Sequence, residues 1–330
     1  MIDVCQFGAG RIGAIHAANI AEHPAARLRY VVDVDAGAAA ALAERHGATV
    51  VDRDMALNDP AVRAVIIASS TDTHAELIVA AAQAGKTIFC EKPIDLDLGR
   101  VDACLREVER AAVKLAVGFN RRFDASFRAL HDAVRAERIG KVEMVAITSR
   151  DPELPPIDYL KVSGGLFRDM MIHDFDMARW LLREEPVEVF AMGSCLVDRA
   201  VKELGDVDTA VVTLKTASGA LCQISNSRRA VYGYDQRVEV FGSGGMLRAG
   251  NHRPTTVELF DRESVKRDKP PYFFLERYAQ AYRSEIDHFV EVVAGDTAPI
   301  AGGRDGRQAL VLADAAHESA ITGRPVTVTA

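Results

Sequence analysis

The stretch Ile2-Asp3-Val4-Cys5-Gln6-Phe7-Gly8-Ala9-Gly10-Arg11-Ile12-Gly13 decides the fold. Residues 2–7 read as a buried strand, and the G-x-G-x-x-G run behind them opens a helix predicted over 11–22. Alone that run is a weak motif; between a strand and a helix it is a strong one. Gly8 permits the tight turn, Gly10 lets the backbone approach a pyrophosphate, and Gly13 lets helix and strand pack closely. The helix N-terminus supplies N–H groups and partial positive charge. Asp33 stands 20 residues after Gly13, at the end of the second predicted strand. A carboxylate there accepts from the ribose 2′- and 3′-hydroxyls and repels a 2′-phosphate, so NAD is favoured over NADP. Arg11 could reach a phosphate, but Asp33 holds the position that reads the ribose. Asp35 is a weaker ribose candidate, and its ordinary role would be a helix N-cap.

Outward from that turn, strands predicted at 2–7, 28–33, 62–68, 87–90 and 115–117 alternate with Ala-rich helical stretches at 11–22, 36–46, 73–84 and 97–112. Short apolar strands separated by helices mean βαβ units and a parallel sheet. The character changes after Phe119. A helix is expected over 122–137, then Val-, Thr- and Phe-rich strands at 142–149, 187–195, 209–216, 220–227, 237–241 and 256–260. Turn residues such as Gly-Ser-Gly-Gly at 242–245 divide them, which marks a mostly antiparallel sheet. Helices at 274–294 and 304–322 and a strand at 326–328 close the chain. The fold class is therefore α/β: a Rossmann dinucleotide-binding domain over 1–119 and an α+β domain with a large open sheet over 120–330. The C-terminal helix can pack back on the first domain. Helices cover one face of the open sheet, so its other face should meet a second subunit.

The 330 residues suffice for two domains, and 48% apolar with 26% charged residues is an ordinary globular composition. A net charge of −7 argues against a nucleic-acid face. No run of 18 apolar residues predicts a membrane span, and the N-terminus lacks the basic and apolar regions of a secretory signal. Cys5, Cys90, Cys104, Cys195 and Cys222 stand singly in apolar stretches, with no Cys-x-x-Cys pair for zinc. Reduced thiols and a cytoplasmic location are expected.

Two further elements carry chemistry. Glu91-Lys92-Pro93 follows the strand at 87–90, and ligands of open α/β sheets bind beyond the carboxyl ends of strands. Pro93 restricts Lys92 to extended geometry and permits a cis peptide. Ser69 and Thr71, just past the strand at 62–68, should line the cofactor site, or cap the helix that follows. In the apolar segment 163–180, Asp169 and His173 are four residues apart and Asp176 is one turn further on. A helix through them puts all three on one stripe. That stripe is a solvated face, a structural polar network, or the acid–base end of an active site. Asp174, Asp176 and Arg179 are read as structural, and no metal is expected.

Gly8-x-Gly10-x-x-Gly13, Glu91-Lys92-Pro93 and Gly164-Gly165…Asp169…His173-Asp174…Asp176, in this order, resemble the glucose–fructose oxidoreductase / inositol dehydrogenase (Gfo/Idh/MocA) family over essentially the whole chain. Within it, the strings at 118–124, 148–152, 163–179, 232–242 and 274–278 are most similar to the inositol 2-dehydrogenases. The resemblance implies NAD-dependent oxidation of myo-inositol, with another polyol or aldose, such as scyllo-inositol or glucose, as the alternative. A non-catalytic NAD sensor is the alternative of another class, and retention of Lys92, Asp169 and His173 speaks against it. By the same resemblance His173 takes the hydroxyl proton, Asp169 orients the imidazole, and Lys92 binds the reacting oxygen. Arg121, Asp158, Tyr234 and Tyr278 contact substrate hydroxyls together with the catalytic three. Gly8, Gly10, Arg11, Ile12, Gly13, Asp33, Ser69, Thr71, Glu91 and Lys92 hold NAD. A homotetramer is also implied.

Overall fold

The computed structural model describes residues 1–295 and 297–328. The first part of the chain runs β1 (Ile2–Phe7), α1 (Arg11–Glu22), β2 (Ala26–Val32), α2 (Ala36–His46), β3 (Thr49–Val50), α3 (Arg53–Asn58), β4 (Val62–Ile67), α4 (Thr71–Gln83), β5 (Thr87–Cys90), α5 (Leu98–Ala111) and β6 (Leu115–Val117). A 3-10 turn at Asn120–Phe123 leads to α6 (Ala125–Arg135), β7 (Val142–Arg150), α7 (Ile157–Leu160), α8 (Gly165–Asp169), α9 (Ile172–Leu182), β8 (Pro186–Ser194) and α10 (Arg199–Glu203). Then come β9 (Thr209–Thr216), β10 (Leu221–Ser227), β11 (Asp235–Gly242), β12 (Gly245–Ala249), the hairpin β13 (Glu258–Phe260) and β14 (Val265–Arg267), α11 (Phe274–Arg277), α12 (Ala279–Ala294), α13 (Gly303–Thr322) and β15 (Val326–Thr327).

The first sheet has the order β3-β2-β1-β4-β5-β6 with every neighbour parallel. All six residues of β1 are buried, as a central parallel strand requires. Strand order reverses between β1 and β4, which is where a doubly wound sheet opens its ligand crevice. The glycine turn leaves the end of β1, and Ser69 follows the end of β4. The short β3 and α3 had no reading from periodicity: two residues of strand and six of helix fall below the window that periodicity needs.

The chain forms two compact units, and the division at 119/120 needs correcting. Unit one is Met1–Phe123 with Gln280–Gln308; unit two is Asp124–Ala279 with Ala309–Ala330. The return of 280–308 has a plain cause. Ile286, Phe289, Val290 and Val293 of α12 are part of the same apolar core as Val4, Ile20, Leu28, Ile66 and Phe89. Polar ties reinforce it: Lys114 Nζ donates to the carbonyls of Val292 (3.0 Å) and Thr297 (2.9 Å), and Arg122 bonds the Ile300 carbonyl and Asp305.

The second sheet has the order β12-β11-β7-β10-β9-β8-β15. Its pairings are antiparallel except β7 with β10, which is parallel. Along β9, Ala210, Val212, Leu214 and Thr216 are buried while Val211, Thr213 and Lys215 are exposed. The alternation gives the sheet one core face, and α9 packs there on β7 and β10. The opposite face shows Met144, Phe190, Met192, Val211, Leu221 and Phe241.

Two predicted helices are broken. The 163–182 segment divides into α8 and α9, and the 274–294 segment divides at Tyr278 into α11 and α12. The first break bears directly on the stripe at Asp169 and His173.

Candidate active site

In unit one the glycine turn is built by exclusion. Gly8 has φ +101°, and a Cβ there would lie 2.4 Å from the Ala68 carbonyl oxygen. A Cβ on Gly13 would lie 2.2 Å from the Gly8 carbonyl oxygen, whereas one on Gly10 would meet nothing within 4 Å. Two glycines are thus demanded by packing, and the middle one leaves the backbone open to approach. Gln6, fully buried, donates from Nε2 to the carbonyls of Gly8 (2.8 Å) and Gly13 (2.7 Å) and pins the turn. Sequence reasoning passed over it; a buried amide in an otherwise apolar strand, ending at a glycine turn, was the available signal. Arg11 and Ile12 open α1, whose first turn has no side-chain cap. Asp33 accepts from the Ala9 N–H at 2.6 Å and the Asp35 N–H at 2.8 Å, so its carboxylate is fixed beside the turn. Asp35 is the N-cap of α2, accepting from Gly37 and Ala38, which settles its ordinary role. Ser69 shares a 2.7 Å hydrogen bond with Thr73, and Thr71 begins α4 two residues earlier than predicted.

These residues fit NAD: the uncapped helix end and open Gly10 side suit a pyrophosphate, and a carboxylate oxygen retains lone pairs for ribose hydroxyls. Asp33→Ser is expected to relax NAD preference, raising kcat/KM with NADP relative to NAD. Unchanged rejection of NADP in steady-state kinetics would remove Asp33 as the discriminator.

At the end of β5 the Lys92–Pro93 peptide is cis. The neighbours of Lys92 are each tied to a buried histidine. Glu91 Oε1 lies 2.7 Å from His16 Nε2, and the Pro93 carbonyl lies 2.7 Å from His74 Nδ1. Burial lowers the His74 pKa, keeping that ring neutral. A Cβ on Gly118 would lie 3.0 Å from Glu91 Cδ, so glycine is what lets the glutamate lie flat there. Arg121 is buried in the 3-10 turn.

In unit two, Gly164 and Gly165 take φ +86° and +83°, and Asp206 accepts from the Leu166 N–H at 3.0 Å to start α8. The helix then slips: the N–H groups of Met170 and Met171 both reach the Leu166 carbonyl, at 3.1 and 2.9 Å, and α9 begins at Ile172. Asp169 therefore ends one helix and His173 stands in the first turn of the next, not on one continuous stripe. Nine of the eleven residues of α9 are buried; His173 is one of the two with access to solvent. With Asp169 at 9% and Asp176 at 1% exposure, the solvated-face reading falls.

Asp169 is firmly held. Tyr159 Oη donates to Oδ1 at 2.7 Å, and Arg228 Nη2 donates to Oδ2 at 3.1 Å. Arg228 is 1% exposed, and its second nearby carboxylate is Asp151 at 4.0 Å. Burial and the Asp169 charge push the Tyr159 hydroxyl up, so it stays a donor. Asp174 accepts from Asn226 Nδ2 at 2.9 Å with no exposure, and Asp176 lies 3.7 Å from Arg179, which is doubly bonded to Glu185. Tyr278 and Tyr234 are buried edge-to-face at 5.9 Å, with Tyr278 Oη 3.4 Å from Gln236 Oε1. Asp158 is not brought into the group. Its carboxylate is 92% exposed and paired with Lys161 at 2.7 Å; the next residue, Tyr159, is the one this segment gives to Asp169.

The glycine turn on a doubly wound sheet, followed by an α+β unit carrying this acid and histidine, defines a two-unit dinucleotide-dependent oxidoreductase. The chain belongs to the GFO/IDH/MocA oxidoreductase family: residues 2–119 match its NAD-binding Rossmann fold profile and residues 127–248 its C-terminal domain. It is 50% identical over 322 residues to inositol 2-dehydrogenase of Rhizobium meliloti, covering 98% of both chains. It is 50% identical over 315 residues to myo-inositol 2-dehydrogenase of Thermotoga maritima, covering 95% of this chain and 94% of that one. A crystal structure of a myo-inositol dehydrogenase from Corynebacterium glutamicum matches with TM-score 0.95 at 44% identity, covering 100% of this chain and 99% of that chain.

Proposed function

We propose that this chain oxidises myo-inositol to 2-keto-myo-inositol with NAD. The observation that carries the reading is the Asp169 carboxylate held by Tyr159 and Arg228 four residues before a solvent-accessible His173, in a chain half identical to inositol 2-dehydrogenases along nearly its whole length. Bound NAD would supply the hydride acceptor, at C4 of its nicotinamide. His173 takes the hydroxyl proton as the C–H hydride leaves; an imidazole with an unperturbed pKa near 6.5 suits that transfer. Asp169, held by Tyr159 and Arg228, aims the imidazole and accepts from the substrate. Lys92 binds the reacting oxygen and stabilises its developing negative charge. Arg121, Tyr234 and Tyr278 contact the remaining hydroxyls. Gly8, Gly10, Arg11, Ile12, Gly13, Asp33, Ser69, Thr71 and Glu91 hold the dinucleotide.

The apolar outer face of the second sheet, with Met144, Phe190, Met192 and Phe241 exposed, supports assembly through that face into a homo-oligomer, and we place the family's tetramer there. Among the described residues no helix is long and apolar enough to cross a membrane, and the five cysteines are free thiols. Both support a cytoplasmic enzyme.

A screen of inositol isomers, other polyols and aldoses with NAD and NADP tests the reading. NADH formation with myo-inositol, with the highest kcat/KM among the polyols and NAD preferred, is expected. No NADH with any inositol would overturn it, and a higher kcat/KM with scyllo-inositol or glucose would reassign the substrate.

A further inference from the structure

Behind the Lys92 turn, unit one holds a polar cluster of which the proposed reaction uses only Glu91, as a cofactor residue. His16 of α1, Glu91 after β5 and Glu285 of α12 each bring a ligand-type atom within 4.8 Å of the others. His16 is fully buried and Glu285 is 1% exposed. His16 Nε2 bonds Glu91, while His16 Nδ1 and both Glu285 carboxyl oxygens have no hydrogen-bond partner among the described residues. The walls are aromatic: Phe89 lies 5.0 Å and Tyr282 5.9 Å from the His16 ring, both edge-on. The titratable groups gathered with Glu285 are thus Glu91 from the end of β5 and His16 from α1, with Tyr282 of its own helix against the His16 ring. No lysine or arginine makes an ion pair with it among the described residues.

Two carboxylates this close to one imidazole, in an apolar wall, are not both ionised. We propose that Glu285 carries a proton at neutral pH and serves as a positioning residue, fixing Glu91 through the shared cluster with His16 and so holding the strand end that carries Lys92. Burial and the neighbouring Glu91 carboxylate both push the Glu285 acid well above the usual carboxylate range. The neutral acid offers one O–H to a cluster in which the His16 Nε2 already bonds Glu91. With His74 on Pro93, both neighbours of Lys92 are then anchored by buried groups. The positioning role rests on the reading that Lys92 acts at the reacting oxygen; the protonation state does not.

Thermal unfolding against pH tests the proton. A carboxyl raised in the folded state stabilises most below its unfolded pKa of about 4.3, and that contribution is lost as pH rises toward the folded pKa. Glu285→Gln, which mimics the neutral acid, lacks that loss. Its Tm advantage over wild type is expected to widen from pH 5 to pH 9; a gap constant with pH overturns the protonated state. Kinetics test the positioning. Glu285→Ala is expected to lower kcat roughly 10-fold, a larger change than that in NADH affinity read by fluorescence titration, and Glu285→Gln to restore it within about 3-fold. If the alanine protein does not fold, Glu285→Met replaces it. Wild-type kcat in the alanine or methionine protein, or a glutamine protein as slow as these, overturns the positioning role. Stoichiometric metal in the purified protein overturns both parts. Inactivity of the wild type toward every polyol would instead count against the proposed function and leave the pH arm readable.

Discussion

Lys92→Ala is expected to lower kcat for inositol oxidation by 10²-fold or more, while NADH still binds. The size is that of a group acting on the proton or charge of the reacting hydroxyl. The sparing of the cofactor follows from where the lysine sits. It follows β5 in a turn whose neighbours are tied to His16 and His74, so its loss leaves those ties, the glycine turn and Asp33 in place. His173→Ala should behave alike, with one difference: removal of the imidazole also removes its titration from the pH profile of kcat. Steady-state kinetics with a parallel NADH titration check both. Near-normal turnover in either variant removes that residue from the scheme, and loss of NADH binding would mean the mutation has disturbed the dinucleotide site.

Arg228→Met is expected to be the most destabilising of the single changes considered. The guanidinium is 1% exposed and donates to the Asp169 carboxylate, whose side chain is 11% exposed. Removing one partner of a buried pair leaves the other charge uncompensated, at a cost of about 3 kcal/mol at the lower end of such cases. For a chain of this size that is roughly 4 °C in Tm. Asp169 would lose that donor while keeping Tyr159, so kcat should fall too. Calorimetry on Arg228→Met and on Arg228→Met/Asp169→Asn separates the causes. The double variant should recover part of the stability, because it removes the stranded charge, while remaining inactive. A single variant as stable as wild type would show that the pair contributes little.

What was legible in the sequence is what local pattern encodes. β1, the glycine turn and α1 were readable because one continuous stretch carries the strand, the turn and the helix start. Asp33 was readable because a fixed spacing ties it to that turn. Lys92 was readable from its place behind an apolar strand. The rest depends on contacts between residues far apart in the chain. A C-terminal helix was expected to pack back on the first domain, but nothing in the amphipathic pattern of α12 says that Ile286 and Phe289 are the residues that enter its core. Asp169 and His173 were found as a pair but drawn on a straight helix, because apolar Met170 and Met171 give no sign that both amides share the Leu166 carbonyl. Asp158 was named from the family resemblance alone, yet the side chain of this segment that reaches Asp169 is the phenol of Tyr159. Arg228, Gln6 and Glu285 were passed over for a common reason. Each is a polar residue in an apolar stretch, and only the fold reveals which acceptor or acid it meets.

The central claim is that a hydride leaves C2 of inositol for the cofactor while His173 takes the hydroxyl proton. The most direct test is turnover of myo-inositol carrying deuterium at C2. The reduced cofactor is expected to carry the deuterium, with its appearance in step with the 2-keto product. Ketone formed with the label released to water, or cofactor reduced without it, would contradict the account.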